Sequence, residues 1–337
     1  MLRKLTLLLL AFATAVACNQ NGNYENHLSG YAQGSTYRIT FLSSQELNLG
    51  TAVDSILNVV DQSVSTYERG SLISQVNRGD TVKPDAILLE MLRQSRSVFT
   101  ASQGAFDPSI GKLVQFWGFG PKEQRPTDSL KVDSLLAYSG FQEFNWSTQR
   151  FYLPKGFQLD FNAIAQGYTV DLIGEFFEQK GVGNYLVEVG GEVRCRGKNL
   201  KDKTWTIGID KPIEEIDQQN RFQVIVALEN AALATSGNYR KFWVDEKTGQ
   251  RYAHTLNPKS GFPARNNLLS ASVIAPTAAL ADAYATVFMV MGLEKSVQYL
   301  NNSPIKLEAY LISAKADSTW AVYQTAGFEK MVLNAVK

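Results

Sequence analysis

One unit that mixes helices and strands is what the sequence predicts, and three observations carry it. Segments with helical apolar spacing and segments that alternate like strands run through the whole chain. Two of the strand-like runs flank Gly190-Gly191, a hairpin signal that sets neighbouring strands antiparallel. No internal repeat and no break in composition divides the chain into independent parts. Of the 337 residues 45% are hydrophobic and 19% charged, enough apolar material for a large core and too much for a disordered chain. The 33 Lys and Arg balance the 32 Asp and Glu, and no basic cluster is interleaved with aromatics, so nucleic acid is not an expected partner.

The first residues read as an export signal. Met1-Leu2-Arg3-Lys4 is a short basic region, and Leu5 to Ala13 is an apolar run too short for an ordinary spanning helix. It ends in Ala15-Val16-Ala17-Cys18, which resembles the bacterial lipobox, with Ala15 where leucine is usual. The expected organisation is a signal peptide over 1–17, a polar tether over 18–29 that starts at a lipidated Cys18, and one folded domain over 30–337. A plain secreted signal peptide is the alternative. Cys195 is the only other cysteine, so with Cys18 lipidated no internal disulfide forms, and Cys195 reads as a packed residue of a strand.

Ser35 to Phe41 alternates as a strand, with a tight turn at Gln33-Gly34 before it. Leu49, Val53, Ile56, Leu57, Val60 and Val64 follow helical spacing and lead into Ser65-Thr66-Tyr67, after which Ser71 to Asn77 reads as a connector. Pro84 opens a second helix carrying Ile87, Leu88, Met91, Leu92 and Val98, closed by Gly104. The stretch Gly104-Ala105-Phe106-Asp107-Pro108 and the run Phe116-Trp117-Gly118-Phe119-Gly120 set glycine among bulky rings. Such a composition packs closely on a flat partner, either a ring ligand or the core. Phe157 to Phe161 reads as a strand and Asn162 to Lys180 as a helix; the turn between them offers free backbone N–H groups to an anion. Asp160 stands where it either caps that turn or touches a ligand. Trp205 to Ile209, Phe222 to Leu228, Ala231 to Ala234, Leu269 to Ile274 and Ile305 to Ile312 read as strands, and Glu294 to Leu300 as a helix.

Three further stretches carry chemistry. Thr235 to Arg240 and Tyr252 to Pro263 read as loops dense in hydroxyls, glycine and cations, a mixture that suits phosphate oxygens and also makes ordinary turns. His254 is the only histidine besides His27, hence the one near-neutral base of imidazole type in the expected folded part. The alanine-rich run Ala278 to Gly292 follows Pro276-Thr277 and reads as a buried helix, yet Asp282 and Thr286, four apart, put a carboxylate and a hydroxyl on one face. Hard cations take oxygen ligands of this kind, so the pair could form half of a magnesium site. The structural alternative has Asp282 favouring the helix start and Thr286 bonding back one turn. No Walker-type loop, paired-cysteine metal motif or G-x-S-x-G nucleophile is present.

Taken together, these segments resemble the ApbE family, the FAD:protein FMN transferases. The motifs that carry the resemblance are Gly34-Ser35-Thr36-Tyr37-Arg38-Ile39, Ser65-Thr66-Tyr67, Ala105-Phe106-Asp107 through Gly120, Leu159-Asp160 through Gly167-Tyr168, Val189-Gly190-Gly191-Glu192, Ala234 to Tyr239, His254 to Gly261, and Ala281-Asp282-Ala283-Tyr284-Ala285-Thr286. They occur in the family's order. The sequence departs from the family pattern at Gln33, where methionine is usual, at Gln166, where lysine or glutamate is common, and at Asn257, where aspartate precedes the proline.

The resemblance implies a single α+β unit with a T-fold-like core of antiparallel sheet and packed helices. It also implies FAD as substrate with Mg²⁺ beside its pyrophosphate. Carried over by position, the metal ligands are Asp282, Thr286 and the backbone carbonyl of Ala163, and the flavin contacts are Tyr67, Ala105, Phe106, Asp107, Asp160, Gln166 and Leu256. The implied reaction moves FMN from FAD onto a threonine or serine hydroxyl of an acceptor protein and releases AMP, with His254 taking or orienting the proton and Asp160 second in that role. The implied acceptor carries a Thr-containing flavinylation motif and belongs to a membrane redox complex, which suits an enzyme lipid-anchored to a bacterial membrane and facing the periplasm. Two other readings share these motifs: an FAD pyrophosphatase giving FMN and AMP, and a flavin-binding lipoprotein without catalysis.

Overall fold

The computed structural model describes residues 24–121, 129–213, 220–239, 242–244, 249, 251–317 and 319–335. The signal peptide over 1–17 and Cys18 lie outside the described residues. The chain opens with a hairpin, β1 (Tyr24–Ala32) and β2 (Ser35–Ser43), and continues through α1 (Gly50–Val64), α2 (Leu72–Asn77), α3 (Ala86–Ala101), α4 (Gly111–Phe116) and α5 (Val132–Leu136). Then come α6 (Ala165–Gln179), the hairpin β3 (Asn184–Val189) and β4 (Glu192–Arg196), and the strands β5 (Trp205–Asp210), β6 (Phe222–Leu228), β7 (Ala232–Gly237), β8 (Phe242–Val244), β9 (Arg251–Ala253) and β10 (Leu268–Ala275). The last part holds α7 (Ala278–Met291), α8 (Leu293–Asn302), β11 (Glu308–Ala314), β12 (Trp320–Gln324), α9 (Ala326–Glu329) and β13 (Val332–Ala335).

Eight strands form one antiparallel sheet in the order β1-β2-β3-β4-β7-β10-β11-β12, so the expected antiparallel sheet with packed helices is what forms. Strand alternation sends alternate residues to opposite faces. Ala234 of β7 with Ala271, Val273 and Ala275 of β10 packs with the α7 residues in one cluster. Val193, Cys195, Leu233, Ile274, Tyr310 and Ile312 point the other way, onto a three-stranded sheet β13-β6-β5. Cys195 is buried there, which pushes its thiol up to about 12 and leaves it an inert packing residue. Helix α7 is buried nearly all round because it lies between the sheet and neighbouring helices. Its alanines at 278, 279, 281, 283 and 285 keep it slim, while Tyr284, Phe288 and Met289 supply the apolar area.

Four local expectations are corrected. The tether expected up to residue 29 is already strand at Tyr24: its polar Asn26 is buried, donating to the Ser43 hydroxyl at 2.8 Å and accepting the Leu47 N–H at 3.0 Å. The connector Ser71 to Asn77 contains α2, because the Ser71 hydroxyl accepts the Ser74 N–H and caps a helical turn. Phe157 to Phe161 is no strand; only Gln158 bridges, to Ile110. The segment is held extended by Asn77, whose side-chain amide exchanges two 2.8 Å hydrogen bonds with the backbone of Leu159, and by Asp160 N–H donating to the Pro108 carbonyl. Lastly, Thr235, Ser236 and Gly237 continue β7, paired with Ser272, Ala271 and Ser270 of β10.

Candidate active site

The candidate site grows from the point where α6 and α7 begin side by side. Helix α6 starts at Ala165, three residues later than the pattern suggests, because the Asp160 carboxylate accepts the Asn162 N–H at 2.8 Å and holds 162–164 as a turn. The first amides of a helix have no partner within it. Here the Gly167 N–H donates to Asp282 Oδ2 of α7 at 3.2 Å. A Cβ on Gly167 would lie 2.3 Å from the Ala278 carbonyl oxygen, so only glycine lets the two helices meet.

Asp282 is 6% exposed, and among the described residues no cationic side chain pairs with it. Burial pushes its carboxyl up to about 7, against the pull of the Gly167 N–H. It does not cap its own helix, since Thr277 does that by accepting the Leu280 N–H. Thr286, one turn on, has its hydroxyl 3.4 Å from that of Ser236 on β7 rather than bonded back to its own helix. The Ala163 carbonyl lies in the turn before α6 and accepts no hydrogen bond among the described residues. A buried carboxylate without a cation, a hydroxyl on the same helix face and a carbonyl left over at a helix start make an all-oxygen donor set that fits Mg²⁺. Among the described residues no group of three or more His, Cys, Asp or Glu forms a metal cluster. The donor set here contains only one such residue.

A second wall is built from loops. Tyr67, 59% exposed, donates its hydroxyl to the Phe119 carbonyl at 3.3 Å, and the Phe119 ring meets the His254 ring edge-on at 6.3 Å. Partial burial and the nearby charge of Asp160 raise the Tyr67 phenol, while Asn162 bonds to it. Desolvation pushes Asp160 itself up to about 6. Trp117 Nε1 donates to the Gly261 carbonyl at 2.8 Å and stacks on Tyr252, which ties the aromatic-glycine run to the His254 loop. Tyr67, Asp160 and His254 therefore belong to one wall, joined through Phe119 and Asn162.

Other expected contacts sit differently. Leu256 is 4% exposed and packs with Leu113, Trp117 and Val132, so its side chain supports the wall from behind. Ala105 and Phe106 turn their side chains into the core, leaving backbone as the surface of that loop. The Asp107 carboxylate accepts the Ser109 N–H and hydroxyl at 2.7 and 2.5 Å, and also faces the Gly140 and Phe141 amides; it organises the loop. Gln166 reaches the hairpin turns, donating to the Gln33 carbonyl at 3.4 Å and lying against Gly190. Asn77, Asn162, Asp171 and Arg194 were not singled out by sequence, although each holds a part of the site in place. Only Asp171 left a trace, four residues after Gly167 and hence on the same helix face.

Helix-start amides, a buried carboxylate and an imidazole on a facing loop are the equipment of an enzyme that works on phosphate groups. A family model described as the ApbE family matches residues 33–311. The FAD:protein FMN transferase of Haemophilus influenzae is 30% identical over 343 residues, covering 96% of each chain. That of Escherichia coli K12 is 32% identical over 318 residues, covering 89% of this chain and 88% of its own. Among solved structures, the flavin transferase ApbE from Vibrio cholerae matches with a TM-score of 0.81 at 28% identity, over 92% of this chain and 99% of that one. The apo form of Pseudomonas stutzeri flavinyl transferase ApbE matches with a TM-score of 0.81 at 30% identity, over 93% and 98%. The chain belongs to the ApbE family of enzymes, and the reading without catalysis drops out.

Proposed function

We propose that this chain transfers FMN from FAD to a threonine or serine hydroxyl of an acceptor protein, with Mg²⁺, releasing AMP. The observation that carries the reading is Asp282: a buried carboxylate without a cation, held against the first turn of α6 in a chain whose relatives are named FAD:protein FMN transferases. Asp282, Thr286 and the Ala163 carbonyl would hold the ion. Bound there, Mg²⁺ supplies neutralisation of charge on pyrophosphate oxygens.

The protein's own groups do the rest. At the start of α6 the Gln166 N–H, without a partner among the described residues, is left to meet a phosphate oxygen, and the aromatic-glycine run with Tyr67 covers the flavin side. The acceptor oxygen bonds to the FMN-side phosphorus as that phosphorus parts from the oxygen that leaves with AMP; the acceptor's proton passes to His254. Little covalent work falls to the enzyme in such a step, so alignment of the reacting groups is its main contribution. Asp160 assists as a charged acceptor beside Tyr67. Because its carboxyl sits at about 6, it loses its charge as pH falls through that value. Asp160 is expected to contribute to the acid limb of the rate profile near pH 6, so that limb should shift in Asp160→Asn; a limb unchanged in that variant removes Asp160 from the chemistry.

Incubating the protein with FAD, Mg²⁺ and a candidate acceptor domain tests the reaction. In-gel flavin fluorescence on the acceptor with matched AMP release is the expected result. AMP with free FMN and no labelling would replace transfer by FAD hydrolysis. The acceptor is proposed to be a subunit of a membrane redox complex with a Thr-containing motif, and the enzyme to face the periplasm on a lipid anchor at Cys18, which the lipobox-like end of the signal supports. Cys18→Ser should move the protein from the membrane fraction to the soluble one; membrane retention would discard the anchor.

A further inference from the structure

We propose that Asp171 is a positioning residue for the metal ligands, setting where α7 lies along α6 and so where Asp282 and Thr286 stand. The inference rests on the reading that those two residues hold Mg²⁺. Asp171 lies one turn after Gly167 on α6, and its buried carboxylate reaches across to the start of α7: Oδ1 accepts the Ala278 N–H and Oδ2 the Ala279 N–H, both at 2.9 Å. With Leu280 N–H on the Thr277 hydroxyl, the three amides 278–280 that find no carbonyl one turn back in α7 all have partners. Two of those three bonds go to a different helix.

The two helices hold each other reciprocally. A carboxylate of α6 takes amides of α7 at 278 and 279, and a carboxylate of α7 takes the α6 amide at 167. Gly167 lies so close to the Ala278 carbonyl that the two helices meet backbone to backbone there. Asp171 is itself fixed by Arg194 of β4, whose guanidinium donates to Oδ1 at 3.1 Å and to Glu178 Oε1 at 3.0 Å. Arg194 lies across Gly174, where a Cβ would come within 3.0 Å of its side chain. The register of the Asp282 and Thr286 pair is thus tied through Asp171 to the central sheet, though Asp171 is no ligand. Residues that orient ligands from outside the coordination sphere usually change metal affinity by about 10- to 100-fold when replaced.

The test uses the full-length protein, with Mn²⁺ as probe and calorimetry as readout, beside the Mg²⁺ dependence of AMP release. Asp171→Asn keeps the shape but replaces one amide-accepting oxygen by an NH₂ group. We expect its Mn²⁺ dissociation constant and its half-saturating Mg²⁺ to rise about 10-fold or more, with the maximal rate at saturating Mg²⁺ within threefold of wild type. A merely less stable protein would lose amplitude while keeping its midpoint. Arg194→Lys, which loosens the clamp without touching the amides, should shift both midpoints in the same direction and carries the test if Asp171→Asn does not fold. Unchanged midpoints in a folded variant, with Mn²⁺ binding abolished in Asp282→Ala, would overturn the proposal and leave the metal site standing. Wild-type Mn²⁺ binding in Asp282→Ala would remove the metal site itself, and the proposal with it.

Discussion

Asp282→Ala is expected to lower Mg²⁺-dependent release of AMP from FAD by about 100- to 1,000-fold, the usual size of losing one charge-stabilising group. The carboxylate is buried, faces no cation among the described residues, and has the Gly167 amide as its partner. Nothing else on that face of α7 could replace its charge. Asp282→Asn separates charge from packing, since it keeps the size of the side chain. The folded-state carboxyl, at about 7, lies above its ordinary value, so protonation favours the fold. That contribution is present in full below about pH 4 and lost as pH rises through about 7. In EDTA at pH 8 the asparagine variant should therefore unfold no earlier than wild type while remaining inactive. Mg²⁺-dependent AMP release that survives in Asp282→Ala would refute the metal assignment.

Gly167→Ala should be strongly destabilising, because among the described glycines it would bring a new Cβ nearest to a backbone atom. The new Cβ would stand 2.3 Å from a backbone carbonyl, and a backbone cannot swing aside as a flexible side chain can. Relief requires α6 and α7 to part, which strains the Asp282 bond to Gly167 and both Asp171 bonds to α7 together. A loss of about 3 kcal/mol is expected, at the upper end of overpacking costs, with metal affinity falling alongside stability. Urea denaturation beside Mn²⁺ titration measures both; a variant with wild-type midpoints would show that the helices tolerate separation. At Gly181, whose φ is +77° with open space around it, alanine meets no atom and carries backbone strain alone, so it serves as the comparison.

How much was legible in the sequence follows the range of the forces involved. Helix α7 was readable because its limits are local: Thr277 caps one end, and Gly292 at φ +76° closes the other with its N–H on the Phe288 carbonyl. The shared face of Asp282 and Thr286 was readable for the same reason, being a matter of four residues of helix. The hairpin about Gly190-Gly191 needed only its own turn. Strand β1 was misread because its sequence is polar and only pairing with β2 gives its groups partners. The segment 157–161 was misread because Asn77, some eighty residues earlier, does the work of a neighbouring strand.

By itself the sequence determined the family, the helix that carries the carboxylate and hydroxyl, and the residue types available for phosphate chemistry, since all of these rest on local spacing and on motifs in order. The tertiary structure alone decided that Asp282 answers to an amide 115 residues away, that Asp171 and Arg194 lock α7 in register, and that Leu256 supports the site wall from behind. Those facts depend on which elements the core brings together, and close packing between distant segments leaves no periodic trace in either of them.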